Sequence, residues 1–136
     1  MSTEFFFHAI RGVTEEEVSD LRLSRMSWHD WSEEWDFANL MDGSVHDKVV
    51  DSFANDPNEE DCLQVAEASW PEQYIYARQL FGFDTMNPLP LINDALVEFL
   101  TAIHVEVQDE PRVPSTEELR AWLIRHKGAR LYIRVD

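Results

Sequence analysis

The sequence predicts a mixed α+β domain in which a small sheet of two or three strands packs with about five to seven helices, so that helices dominate. An aromatic run near the start of the chain and a period-two alternation at its end predict the strands. Apolar stripes with helical spacing, most of them preceded by a residue that can cap a helix, predict the helices. With 136 residues and 44% hydrophobic composition, the chain is expected to form a single domain spanning residues 1–136.

Strands are expected at three places. Residues 4–10 include three consecutive phenylalanines and stop just before Gly12, which indicates a largely buried first strand. Residues 130–135 alternate, so that apolar side chains are expected to face a core and the two arginines to face water. Residues 104–107 alternate over four positions and predict a further short strand.

Two capping boxes mark helix starts. Thr14 with Glu17 predicts a helix over about residues 14–23, and Ser115 with Glu118 predicts one that ends near Gly128. Further helices are expected from apolar spacing and from the turn residues between the segments. Their expected ranges are residues 44–55, 59–69, about 69–82 and 90–103.

Three of the five tryptophans lie close together. Trp28, Trp31 and Trp35 fall at i, i+3 and i+7, which places their rings on one stripe of a helix that ends near residues 42–43. A stripe of three indole rings is either a large piece of core or an interaction surface, and the spacing does not separate the two.

Charge is unevenly distributed. The formal net charge is −16, and residues 29–67, here called the acidic stretch, hold twelve acidic residues against one base. From residue 112 onward six bases stand against three acids. The two regions either neutralise each other across the folded domain or simply solvate it, or they leave an acidic face for a basic partner. Attraction to nucleic acid or to an anionic membrane surface is disfavoured by the charge.

The sequence therefore suggests a binding surface made of carboxylates. The candidate partner-binding residues are Asp30, Glu33, Glu34, Asp36, Asp47, Asp51, Glu59, Glu60 and Asp61. A basic protein partner, such as a toxin or a nucleic-acid enzyme, is expected to be steered to such a surface.

A different function class comes from two His-Asp pairs. Adjacent imidazole and carboxylate groups can bind divalent ions, so His29, Asp30, His46 and Asp47 are candidate ligands of a metal-dependent hydrolase. The remaining histidines lie outside acidic clusters, so further ligands are not evident. No catalytic residue and no cofactor are predicted, because the sequence has no nucleophile elbow, phosphate-binding glycine loop or dinucleotide fingerprint.

Cysteine usage and hydropathy bear on location. The single cysteine, Cys62, allows no disulfide within the chain, and its acidic neighbours disfavour a reactive thiolate. The first residues lack the features of a signal peptide, and the longest apolar segment is interrupted by polar residues. A cytoplasmic protein without a membrane span is expected.

The order of several short motifs resembles the uncharacterised bacterial YfbM-like family. The motifs are the helix at Thr14-Glu15-Glu16, Trp35-Asp36-Phe37 followed by Asp42-Gly43, Tyr76-Ala77-Arg78 before a proline-bounded helix, and a helix then a strand from Arg120 to Val135. The resemblance implies a small mixed domain and assigns no catalytic residue. In size and charge alone, the chain also looks like an immunity protein or a phage inhibitor. A non-enzymatic acidic binding protein is the favoured function, and a metal-dependent hydrolase is the alternative.

Overall fold

A computed structural model describes residues 2–18, 47–48, 51, 60–82, 89–106 and 113–135. Three strands are present in these ranges: β1 (Ser2–Ile10), β2 (Cys62–Ser69) and β3 (Arg130–Val135). Three helices have complete bounds: α1 (Glu72–Phe81), α2 (Asp94–Glu106) and α3 (Thr116–Arg125). Residues 15–18 form a further helical segment. The predicted tryptophan helix and the predicted helix over residues 44–55 lie mostly or wholly outside the described residues.

The three strands form one antiparallel sheet in the order β2-β1-β3. β1 takes the central place because its aromatic side chains are buried and it needs a partner on each edge. The β1–β2 register shifts at one point: Phe5 lies opposite Ala66 and Phe6 lies opposite Gln64, so Val65 is the extra residue of a β-bulge.

Two of the predicted strands are confirmed, and two other assignments are wrong. β1 covers the expected residues 4–10, and β3 has the expected bounds 130–135. The helix expected over residues 59–69 is wrong, because residues 62–69 pair with β1 as strand β2. The strand expected at residues 104–107 is also wrong, since residues 104–106 are the last turn of α2.

The α+β class is correct, but the predicted number of helices is not. Within the described ranges the chain has four helices rather than five to seven. One of the expected helices covered residues 62–69, which form strand β2 instead.

The capping box at Thr14 is confirmed, and Ser115 caps α3 as expected. The Thr14 hydroxyl accepts a hydrogen bond from the Glu17 amide at 3.2 Å, while the Glu17 carboxylate accepts one from the Thr14 amide at 3.0 Å. At the start of α3 the Ser115 hydroxyl accepts from the Glu118 amide at 3.1 Å. α2 begins later than expected: Asn93 caps it by accepting from the Leu96 amide at 2.9 Å, so Pro90 and Leu91 lie before the helix.

The core lies between one face of the sheet and the helices. The Phe5 ring meets Tyr76 of α1 edge-on at 5.0 Å between centroids, and Phe7 lies 6.5 Å from Trp122 of α3. Leu131, as expected, is fully buried on β3. This packing fixes α1 and α3 relative to the sheet, and with them the turns at both ends of β2.

The expectation that the arginines of β3 face water is wrong. Arg130 is 7% exposed, and its guanidinium donates hydrogen bonds to the Leu89 carbonyl and to the Glu15 carboxylate. Arg134 is half-buried and lies over the Phe6 ring at 4.4 Å from its centroid. A guanidinium that is hydrogen-bonded or stacked on a ring has a compensating partner and can therefore be buried. For this reason the alternation of residues 130–135 does not identify a side of β3 that faces water.

Candidate functional site

The structure describes four of the nine predicted partner-binding residues. Asp51 and Glu60 are exposed, Asp47 is also exposed, and the Asp61 side chain is 44% exposed. The structure brings Glu60 and Asp61 together in the turn that leads into β2, whereas Asp47 and Asp51 lie on a different segment of the chain. The other five predicted residues lie outside the described ranges: Asp30, Glu33, Glu34, Asp36 and Glu59.

The turn at Glu60 and Asp61, here called the acidic turn, is tied to the fold through its backbone. The Glu60 carbonyl accepts hydrogen bonds from the Trp122 indole at 2.9 Å and from His126 Nε2 at 2.6 Å. The Asp61 carbonyl accepts from the Ala9 amide at 3.0 Å. These bonds use main-chain oxygens only, so they hold the turn in place and do not involve either carboxylate.

His126 is neutral in this arrangement. Its Nδ1 accepts a hydrogen bond from the Arg11 guanidinium at 2.8 Å, so the ring proton is on Nε2, which donates to Glu60. Burial is the main cause that lowers the pKa of His126 from its usual value of 6.5, and the positive charge of Arg11 lowers it further. The Asp61 carboxylate lies 3.8 Å from Nδ1 and opposes this effect. With both ring nitrogens bonded, His126 is a positioning residue for the acidic turn.

Strong bases of the C-terminal region are paired with carboxylates that lie outside the acidic stretch. Three ion pairs show this: Arg120 with Glu98, Lys127 with Asp94, and Arg130 with Glu15. The hydrogen bond from Lys127 lowers the pKa of Asp94, and the one from Arg120 lowers the pKa of Glu98. Lys48, the one base of the acidic stretch, also points away from it and contacts Glu17 at 4.0 Å.

These pairings bear on the two alternatives for the charge distribution. Among the described residues, Asp51 and Glu60 form no ion pair with a lysine or arginine, and Asp61 is paired only with the neutral His126. The described contacts therefore do not show the acidic stretch and the C-terminal bases neutralising each other. The carboxylates of the acidic turn keep their charge toward solvent.

An exposed aromatic surface was missed by the sequence analysis. It consists of Trp70, Pro71, Tyr74 and Ile75, at the junction of β2 and α1, and is called the Trp70 surface below. Trp70 is 73% exposed and Ile75 is 54% exposed. The Trp70 ring meets Tyr74 edge-on at 5.1 Å between centroids. The sequence offers no signal for this exposure, because tryptophan is highly buried on average and Trp70-Pro71 reads only as the end of an element.

The buried histidines and the cysteine are structural within the described fold. Cys62 is fully buried on β2, opposite His8 of β1, and its sulfur lies 3.9 Å from His8 Nε2. His104 of α2 is fully buried and bonds the Pro114 carbonyl through Nε2 at 2.9 Å. The Cys62, His8 and His104 side chains are therefore all fully buried in the described fold.

Most of the proposed metal ligands fall where the structure gives no description. His29, Asp30 and His46 are outside the described ranges, and Asp47 is exposed. Across the described part of the chain, no group of three or more potential ligands lies close enough to hold a metal ion. The metal-dependent hydrolase therefore stays a prediction from the sequence.

Comparisons with models of known protein families, with curated proteins and with solved structures found no match to this chain. The resemblance to the YfbM-like family rests on its short motifs alone and stays a prediction.

The helices were also compared with the length and hydropathy that a membrane span requires. In the ranges that the structure describes, no helix is both long enough and apolar enough to cross a bilayer.

Proposed function

We propose that this protein is a non-enzymatic acidic binding protein that occupies a basic site on a partner protein. The class of partner that fits is a toxin or a nucleic-acid enzyme, whose own substrate site is basic, so the protein would act as an immunity protein or inhibitor. The observation that carries the proposal is the charge of the acidic turn, which is exposed and is not neutralised by the described lysines and arginines.

The geometry of the acidic turn supports a role in association. Its backbone is held by Trp122, His126 and Ala9, so the two carboxylates are presented on a fixed support. A surface that is already ordered loses less conformational entropy when it binds. A net charge of −16 adds a long-range field that speeds the encounter with a positively charged site.

The test uses two variants with the same net charge. Glu60→Gln with Asp61→Asn removes two charges from the acidic turn, and Glu16→Gln with Glu117→Gln removes two exposed charges from outside the acidic stretch. The partner is captured from a host lysate, identified by mass spectrometry and purified. Association rates are then measured by surface plasmon resonance at low and high salt.

We expect the association rate of the wild-type protein to fall about tenfold or more between low and high salt. The Glu60/Asp61 variant should associate several-fold more slowly than the Glu16/Glu117 variant at low salt. Equal rates for the two variants, or a complex that is indifferent to salt, would contradict the proposal. A captured partner without a basic site would contradict it as well.

A further inference from the structure

Two groups of opposite charge compete for one ring nitrogen of His126. The Arg11 guanidinium donates a hydrogen bond to Nδ1 at 2.8 Å, and the Asp61 carboxylate lies 3.8 Å from the same atom. Because a guanidinium only donates, Nδ1 carries no proton while Arg11 is bound to it. An ionised carboxylate only accepts, so it can bond this nitrogen only once a proton is there. The protonation state of His126 therefore decides which of the two groups it binds.

The other ring nitrogen keeps its role in both protonation states. Nε2 donates to the Glu60 carbonyl at 2.6 Å, and it carries a proton in this neutral ring as well as in the imidazolium. The same carbonyl accepts from the Trp122 indole at 2.9 Å. Protonation of His126 thus leaves the main-chain anchor of the acidic turn in place. Its effect falls on the side of the ring that faces Arg11 and Asp61.

The charged groups that act on the imidazole come from three parts of the described chain. Arg11 follows β1, Asp61 precedes β2, and Arg125 is the last residue of α3. Burial has the largest influence and lowers the pKa of His126, and the charges of Arg11 and Arg125 lower it further. The hydrogen bond to Glu60 and the charge of Asp61 act in the opposite direction. Protonation of the folded protein is therefore expected in mildly acidic solution, below pH 6.5.

We infer that His126 is a proton switch at the acidic turn: when Nδ1 takes up a proton from solvent, it releases Arg11 and bonds the Asp61 carboxylate instead. Arg11 is exposed, so it can move away from the new positive charge into water. Asp61 has to move by only about 1 Å to come within hydrogen-bond distance of Nδ1. The new bond joins an imidazolium to a carboxylate, and charge-assisted bonds of this kind are the strong ones. Glu60 is then the carboxylate of the acidic turn that remains uncompensated.

The consequence for binding rests on the proposed function. A basic partner would meet one uncompensated carboxylate at the acidic turn in mild acid, in place of two at neutral pH, so it should associate more slowly. The coupling is reciprocal, because a partner whose positive charge lies beside Asp61 opposes the protonation of His126. The protein would therefore capture its partner best at neutral pH and lose affinity on acidification.

The experiment is an NMR titration of the whole chain from pH 7.5 to pH 4.5. The nitrogen chemical shifts of the His126 ring report which nitrogen carries a proton and the pH at which the second proton binds. His126→Gln assigns these signals by their loss. The Trp122 indole shares the Glu60 carbonyl with His126 and should report the same midpoint. The indole of the Trp70 surface lies beyond the other end of β2 and serves as a reference that should not share this midpoint.

Two variants and two controls separate the parts of the switch. Asp61→Asn removes the carboxylate that would accept from Nδ1, and Arg11→Gln removes the competing positive charge. Glu117→Gln and Arg78→Gln make the same changes of charge at exposed positions of α3 and α1. Thermal unfolding at pH 7.5 shows for each variant whether the fold is intact.

We expect the His126 ring to carry a proton on Nε2 alone at pH 7.5 and on both nitrogens at the acidic end. Asp61→Asn should lower the pKa of His126 by about 0.5–1, and Arg11→Gln should raise it by a similar amount. The two control variants should change it by less than about 0.2, because distant exposed charges are screened by salt.

The coupling to binding is measured with the captured partner. Association rates are compared at pH 7.5 and at one pH unit below the measured midpoint of His126. The wild-type protein should slow about two- to fivefold more than Asp61→Asn does, and any titration of the partner's own groups is common to both. An equal slowing of the two proteins would contradict the coupling of the switch to binding.

A proton on Nδ1 at pH 7.5 would overturn the inference. A His126 ring that stays neutral until the chain unfolds would do so as well, and so would a pKa that responds to Asp61→Asn no more than to Glu117→Gln. In each of these cases a salt-dependent complex would leave the proposed function standing. Conversely, the expected titration of the ring together with salt-independent partner binding would support the switch and contradict the proposed function.

Discussion

Removal of the His126 side chain tests whether the acidic turn is held from α3. In the folded protein, His126 is fully buried, donates to the Glu60 carbonyl and accepts from Arg11. Its ring also lies 4.5 Å from the Trp122 ring, measured between centroids. His126→Ala removes these three interactions at once and leaves the Glu60 carbonyl with the Trp122 indole as its remaining donor.

The expected loss of stability follows from those interactions. Each of the two hydrogen bonds contributes about 1 kcal/mol, since Arg11 is exposed and its guanidinium returns to water when the bond is lost. The ring contact with Trp122 adds about 0.5–1.5 kcal/mol. Because the Glu60 carbonyl keeps one donor, it carries no penalty for an unsatisfied buried acceptor. The sum is a loss of about 3 kcal/mol in the free energy of unfolding.

The measurement is urea unfolding followed by circular dichroism. Arg125→Ala is the matched control, because Arg125 is the exposed neighbour in sequence, and its loss should change the free energy of unfolding by less than about 0.5 kcal/mol. In a domain of this size, 3 kcal/mol corresponds to a fall of about 10 °C in the melting temperature. A loss below about 1 kcal/mol, or one equal to that of Arg125→Ala, would refute the role assigned to His126.

Two further predictions concern buried polar groups. Burial, and to a smaller extent Arg11, lowers the pKa of His126 below 6.5 in the folded protein. As the pH falls, the imidazole is therefore protonated in the unfolded chain before it is protonated in the folded protein, so the free energy of unfolding should decrease below about pH 6.5. Urea unfolding at pH 7.5 and 5.5 should show a larger fall for the wild-type protein than for His126→Ala, and parallel curves would contradict the assignment. The Tyr76 hydroxyl is buried, has no hydrogen-bond partner among the described residues, and has its pKa raised by burial. Tyr76→Phe keeps the ring against Phe5 and should leave the free energy of unfolding unchanged or raise it by up to about 1 kcal/mol. A loss above about 1 kcal/mol in the same unfolding assay would show that the hydroxyl has a hydrogen-bond partner.

The elements that could be predicted are those whose sequence signals are local. The aromatic run of β1 and the alternation of β3 gave the correct strands, and Thr14 and Ser115 make the expected caps. α1 begins at Glu72 and stops before Gly82, close to the expected range. In each case the residues that decide the structure lie within a few positions of one another.

β2 could not be predicted because its conformation is decided by a distant partner. Residues 62–69 contain three residues with little preference for strands, namely Ala66, Glu67 and Ala68, which reads as helical. Pairing with the central strand β1 prevails over this local preference and buries Cys62 and Val65. The opposite error occurred at His104, where a short alternation suggested a strand.

His104 shows why that alternation misled. It lies four residues after Leu100, so both fall on the same face of a helix, and both are fully or almost fully buried. The bond from His104 to the Pro114 carbonyl gives the polar ring a partner inside the core. A four-residue pattern fits a strand and a helix end equally well, and the buried face of α2, which includes Leu96, Leu100 and His104, decides between them.

The candidate site was predictable in charge but not in shape. The sequence indicates an excess of carboxylates at residues 29–67, and the structure adds that three of the C-terminal bases, Arg120, Lys127 and Arg130, are paired with carboxylates outside that stretch. The exposure of Trp70 depends on the meeting of β2 and α1, which no local pattern reports. Sequence reasoning left Trp28, Trp31 and Trp35 as either core or interaction surface, and the described residues do not include them.

The backbone and the side chain of Glu60 have different roles, one in stability and the other in binding. Its carbonyl holds the acidic turn to Trp122 and His126, while its exposed carboxylate takes no part in those bonds. Glu60→Gln therefore changes the charge without changing the main-chain anchor, and His126→Ala changes the anchor without changing the carboxylates. If the acidic turn is a binding surface that the fold presents, the first variant slows association at unaltered stability. The second variant lowers stability and, because the turn is less ordered, also increases the entropic cost of binding. A Glu60 variant that lost stability as much as the His126 variant would mean that the carboxylate belongs to the fold, and the charge of the turn would then need no partner to explain it.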